Sequence, residues 1–115
     1  MQYFTELLNK EMLDSLKKNS RQKPQVIFKH STRCIVSNMA MHRIDQKEIE
    51  SVDADFYFLN IIRHRDLSAQ IQQDFDVWHE SPQVLVIKDE KCIYTNSHSG
   101  IRLEELLEVL QEQPI

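Results

Sequence analysis

The sequence predicts an α/β fold: a mixed central sheet of four to five strands flanked by about four helices, in one domain over residues 1–115. Three observations predict it. Segments of helical period alternate with short apolar runs rich in β-branched residues. Two of those runs, 83–88 and 92–96, are joined by a charged turn around 89–91 that is short enough to demand an antiparallel hairpin. The composition, 41% apolar and 28% charged over 115 residues, supports one hydrophobic core and not a disordered chain.

The elements follow in order. Residues 3–8 (YFTELL) read as a first strand of weak alternation. Asn9 is placed to N-cap a helix over 10–19, with Leu13 and Leu16 on its apolar face and Lys17 and Lys18 at the end that favours cations. Residues 20–24 form a polar loop closed by Pro24. Residues 25–30 (QVIFKH) read as a buried strand. Val36, Ala40 and Ile44 recur at i, i+4 and i+8, with Met39 beside them, and predict a helix over about 36–50. Residues 56–62 (FYFLNII) are a second buried strand. Asp66 is expected to cap a helix on which Leu67, Ile71 and Phe75 form one stripe while Gln70, Gln72 and Gln73 face water. Residues 77–82 are a loop, the hairpin follows, 97–100 break the chain, and Leu103, Leu106, Leu107 and Leu110 define a last amphipathic helix. The order β-α-β-α-β-α-β-β-α, joined by right-handed crossovers, fits a thioredoxin-like arrangement with no element left over.

Composition also excludes functions. Gly100 is the only glycine, so neither a dinucleotide fingerprint nor a P-loop is present. Fourteen basic against eighteen acidic residues give a net charge of −4, which argues against a nucleic-acid partner. Glu6 interrupts the first apolar stretch, and the longest aliphatic runs are of the 84–87 kind, far from the roughly 20 residues of a membrane span. The expectation is a cytoplasmic, monomeric protein without a membrane partner. Cys34 and Cys92 lie far apart, and in a reducing compartment both are expected as free thiols. The five histidines show no pair at ligand spacing, so no metal site is expected. None of them is singled out as a protease partner for Cys34. Met39 and Met41 are expected to fill core gaps or flank the helix and not to bind a cofactor.

The chemistry centres on Cys34. It follows a strand and precedes a helix, where unpaired N–H groups and the positive end of the macrodipole stabilise a thiolate. Arg33 is adjacent, Lys29 and His30 precede it, and Ser37, one turn on, can offer its hydroxyl to the sulfur. With serine at the second position of this Cys-x-x-Ser element, a mixed disulfide on Cys34 must be resolved by an outside thiol or another cysteine. The plain alternative is a cysteine that only packs. Pro82 belongs at a strand's first residue or edge. In this fold its loop faces the cysteine loop, so Ser81 can offer backbone groups to a substrate chain, although the residues alone favour an ordinary trans proline. Cys92, within the hairpin, reads as a half-buried, inert thiol.

The segments Lys29-His30-Ser31-Thr32-Arg33-Cys34-x-x-Ser37, Arg65-Asp66-Leu67-Ser68, His79-Glu80-Ser81-Pro82-Gln83-Val84-Leu85 and Ser97-His98 before Ile101 resemble, in that order, the YtxJ family of bacillithiol-system proteins, the monothiol bacilliredoxins. The resemblance covers about residues 3–110. It implies a thioredoxin-like fold and a thiol-disulfide oxidoreductase that removes a low-molecular-weight thiol, bacillithiol, from mixed disulfides on cytosolic proteins. It implies that Cys34 is the active thiol, that Ser37 holds the second motif position, and that a cis Pro82 faces them; by their positions Arg33 and Ser81 are expected beside the substrate. No tightly bound cofactor is implied; bacillithiol or another small thiol is the co-substrate. The chain departs from the pattern at Ile35, where many members carry proline, and around Glu90, where the hairpin glycine is replaced. A redox-inactive thioredoxin-like module that binds proteins through the same groove is the second reading. Iron–sulfur delivery is a third, disfavoured by Ile35 and Val36, where monothiol glutaredoxins carry glycine and phenylalanine.

Overall fold

The computed structural model describes residues 1–112. The elements are β1 (Thr5–Glu6), α1 (Lys10–Asn19), β2 (Gln25–His30), α2 (Ile35–Ile44), β3 (Asp55–Asn60), α3 (Arg65–Phe75), β4 (Gln83–Lys88), β5 (Lys91–Ser97) and α4 (Leu103–Gln111), with 3-10 turns at Lys47–Ser51 and His98–Gly100. Among the described residues they form one five-stranded sheet in the order β1-β3-β2-β4-β5. β1, β3 and β2 run parallel; β4 and β5 run antiparallel. The predicted α/β architecture, a mixed sheet with four helices, is the observed one.

β2 shows why the middle strands read as continuous apolar runs. Val26 and Phe28 pack on one face with Ala40 and Ile44 of α2 and Leu106 and Leu110 of α4. Ile27 packs on the other with Leu13 and Leu16 of α1 and Leu67, Ile71 and Phe75 of α3. A strand covered on both faces has no polar side to alternate with. Each fully buried aliphatic or aromatic side chain here contributes about 1.5–3 kcal/mol. Asn9 caps α1 as predicted, its Oδ1 accepting the Met12 N–H at 2.9 Å.

Several expectations need correcting. β1 keeps only two residues, though Leu7 N–H still donates to the Phe58 carbonyl at 2.9 Å. The helix expected over 36–50 stops at Ile44. Asp45 leaves the helical conformation, and its carboxylate accepts the Gln2 and Tyr3 N–H groups at 2.7 and 2.8 Å, so a side chain that competes for backbone donors ends the helix. The buried face of α2 is Ser37, Ala40 and Ile44; Val36 and Met39 are exposed, while Met41 packs against the core. The strand expected over 56–62 ends at Asn60, whose Oδ1 accepts the Ile62 and Arg63 N–H groups in a local turn. His64, not Asp66, occupies the N-cap of α3; Asp66 lies in the first turn, where its charge suits the helix dipole. Gln70 and Gln72 are half-buried and engaged, Gln70 with Asp74 and Gln72 with the His79 N–H; only Gln73 faces water freely. In the hairpin turn Asp89 and Glu90 both take positive φ, 52° and 62°, the pattern of a type I′ turn built without glycine. Asp89 N–H donates to the Ser20 carbonyl and Glu90 N–H to Ser20 Oγ, both at 2.9 Å, which holds the turn against α1. Among the described residues no helix is long and apolar enough to cross a membrane.

Candidate functional site

Register places the site. Lys29 of β2 stands opposite Gln83 of β4, and His30 stands beside Asn60 of β3. The segment leading to Cys34 therefore leaves one end of the sheet where the Ser81–Pro82 segment enters it. Cys34 is the N-cap of α2 in an extended conformation; its N–H donates to the Ser31 carbonyl at 3.1 Å and its carbonyl accepts the Asn38 N–H at 3.0 Å. Its thiol is free, partly exposed, and makes no capping hydrogen bond, and the first turn of α2 carries no acidic residue. The positive end of the helix is thus left without an internal counter-charge beside the sulfur. Arg33 is exposed next to it and, among the described residues, makes no ion pair.

Ser37 does something other than expected. It is fully buried; its Oγ accepts the Ser31 N–H at 2.9 Å and meets His30 Nδ1 at 2.6 Å. No hydrogen bond joins it to the Cys34 sulfur. The reason is its place on the buried stripe of α2, where a hydroxyl must find partners inside. His30 is itself buried and stacked on Phe28, with ring centroids 5.5 Å apart, and burial, with the N-terminal ammonium, lowers its pKa. Nothing in the sequence singled out His30. The available signal was its parity on β2, which puts a polar ring on the same face as Phe28.

The Ser81–Pro82 bond is cis, as the resemblance implied and against the trans expectation from the residues alone. The Pro82 carbonyl accepts the His98 N–H at 3.0 Å, and Glu80 approaches His98 Nε2 at 3.6 Å, so the two loops close on each other. Buried Gln83 braces the loop: its Oε1 accepts the Glu80 N–H, and its Nε2 donates to the Trp78 carbonyl and to Thr95 Oγ1. Ser81 Oγ is buried without a hydrogen-bond partner among the described residues.

Lys29 does not stand beside Cys34 as a free positive neighbour. It turns to the opposite face, toward α3, and none of its surface is exposed. Its Nζ donates to His79 Nδ1 at 3.2 Å, and Ser68 Oγ lies 3.1 Å from the same nitrogen. Burial pushes the lysine pKa down to about 8. Burial, and then the Lys29 charge, lower that of His79, against an opposing pull from Glu80. Cys92 is half-buried, its thiol pushed up by burial, and its Sγ donates to the Tyr94 carbonyl at 3.3 Å. It pairs with Ile87, four residues along β4 from Gln83. At about 3.4 Å per residue that is roughly 14 Å from the end holding Cys34, beyond the reach of a disulfide. Among the described residues no group of three or more His, Cys, Asp or Glu side chains could hold a metal.

A single partly exposed thiol at the start of the helix after the central parallel strand, with a cis-proline segment entering the neighbouring antiparallel strand, defines a thioredoxin-fold protein with one site cysteine. Solved structures share that fold. One titled as having a thioredoxin fold superposes with a TM-score of 0.81 at 24% identity, covering 92% of each chain. Thioredoxin from Nicotiana alata gives 0.75 at 16% identity over 99% of this chain and 95% of its own. That from Fasciola hepatica gives 0.74 at 17% over 96% and 100%. Residues 5–106 match the family described as monothiol bacilliredoxin BrxC. The chain belongs to that family and carries its thiol redox role.

Proposed function

We propose that the protein removes a low-molecular-weight thiol, bacillithiol by family, from mixed disulfides on proteins of a reducing, cytoplasmic compartment. The Cys34 thiolate attacks the small-thiol sulfur of the mixed disulfide. The Cys34–small-thiol bond forms, the protein–small-thiol bond breaks, and the protein sulfur departs as a thiolate. A second small thiolate then attacks the Cys34 adduct, releases the symmetrical disulfide and restores the Cys34 thiolate. The small thiol is a co-substrate and not a resident cofactor. Arg33 adds positive charge beside the sulfur, Ser81 and Pro82 border the groove, and Ser37 braces the turn that presents Cys34.

The observation that carries this reading is the accessible thiol at the uncapped start of α2 with serine, not cysteine, one turn later. The test is mass spectrometry of reduced protein mixed with a bacillithiolated substrate. One small-thiol adduct on Cys34, absent in Cys34→Ala, is expected. No adduct, with Cys34→Ala indistinguishable from wild type, ends the proposal. The exposed Ile35, Met39 and Trp78, at 75%, 59% and 77%, would equally suit a redox-inactive binding module. That reading requires Cys34 to alkylate at neutral pH no faster than an ordinary free thiol.

A further inference from the structure

A cleft of about 390 Å³ lies at the start of α3, lined by Ile61, Ile62, Arg65, Ser68, Ala69, Gln72 and His79. We infer that this cleft is the subsite for the carboxylate-bearing part of the small thiol that Cys34 handles, with Arg65 and His79 as the contacting groups, Ser68 orienting His79, and buried Lys29 as the charge behind them. The inference rests on the proposed role of Cys34.

Four observations point to an anion. The chain as a whole carries a charge of −4, yet none of the cleft's lining residues is acidic. Arg65 is exposed and, among the described residues, holds no ion pair. Lys29 is entirely buried with one nitrogen acceptor, His79 Nδ1, and, among the described residues, no carboxylate partner. A buried ammonium without a counter-ion is costly, and an anion close by offsets that cost. Because Lys29 and Ser68 both approach His79 Nδ1, the imidazole proton resides on Nε2, which has no hydrogen-bond partner among the described residues. Ser68 gives its one hydroxyl hydrogen to His79 Nδ1, which leaves the His79 N–H and the Arg65 guanidinium around one cleft, donors suited to a carboxylate. The acidic neighbours lie to the side: Asp66 is exposed and does not line the cleft, and Glu80 is turned to His98.

Size and position point to a small thiol. The volume lies in the range of small-molecule sites. Its walls grip the end of the strand from which the cysteine loop departs: Ile61 N–H donates to the His30 carbonyl at 3.0 Å, and His79 is bonded to Lys29. Cys34 is three residues beyond Ser31, so its Cα lies within about 10 Å of that of Ser31. His79 is also only three residues from Pro82. Lys29, Ser68 and His79, distant in sequence, meet at one wall of this cleft.

The test compares two mixed disulfides of one model peptide, made with mercaptosuccinate and with 2-mercaptoethanol, and reads the rate of small-thiol transfer to Cys34. Each protein serves as its own control through the ratio of the two rates. Wild type is expected to favour mercaptosuccinate about tenfold, less in high salt. Arg65→Ala and Lys29→Met are expected to bring the ratio close to one. A wild-type ratio near one, or a ratio that survives in folded Arg65→Ala, overturns the subsite while leaving the oxidoreductase standing. Absence of transfer from both disulfides refutes the proposed function itself, and the subsite with it.

Discussion

Replacing Lys29 by Met measures what the buried ammonium costs. The drop in its pKa from 10.5 to about 8 corresponds, at about 1.4 kcal/mol per pH unit, to about 3 kcal/mol against the charged folded state. Methionine has similar length and no charge, and Ser68 still donates to His79 Nδ1. Allowing about 1 kcal/mol for the lost Nζ–Nδ1 bond, the variant should be more stable than wild type by about 2 kcal/mol at pH 7. Below pH 8 both folded and unfolded lysine hold the proton, so the difference is constant. Between about 8 and 10.5 the unfolded chain binds more protons than the folded one, so wild-type stability rises with pH and the advantage of Met closes. Urea unfolding of both proteins at pH 7, 8, 9 and 10 reads this directly. A Met variant that is less stable at pH 7, or a difference that stays flat from 7 to 10, refutes the assignment of an unneutralised buried charge.

Ser37→Ala strands the Ser31 N–H and His30 Nδ1 inside the protein, and urea unfolding should show a loss of about 1–3 kcal/mol; a loss under about 0.5 kcal/mol would contradict the described contacts. In native wild type, iodoacetamide at neutral pH should label Cys34 at least about tenfold faster than Cys92, because burial raises the Cys92 thiol and holds it back from reagent; peptide mapping showing equal labelling would argue against the site. Glu90→Gly removes a side chain from a φ of 62° at the sacrifice of an exposed pair with Arg21, and thermal melting should show a gain of up to about 1 kcal/mol; a clear loss would mean that the turn does not adopt this conformation.

Where local chemistry is strong, the sequence was legible. The Asn9 cap, the α1 stripe of Leu13 and Leu16, the α3 stripe of Leu67, Ile71 and Phe75, and the hairpin all follow from periodicity and turn chemistry within a few residues. The misreadings arose where a partner outside the element decided. α2 stops at Ile44 because Asp45 binds the backbone of residues 2 and 3. Its buried register falls on Ser37 and not Val36 because His30 and Ser31 wait there.

By itself the sequence determined the α/β class, the position of Cys34 before a helix and the missing second thiol, since these depend on residue order and local pattern. Tertiary structure alone decided that Ser37 serves the turn and not the sulfur, that Cys92 lies at the far end of the sheet, and that Lys29, Ser68 and His79 form one cluster. Those outcomes depend on strand register and on which face each side chain takes, and both are fixed only when separate segments of the chain pack together, as β2 does with β4 and Lys29 with His79.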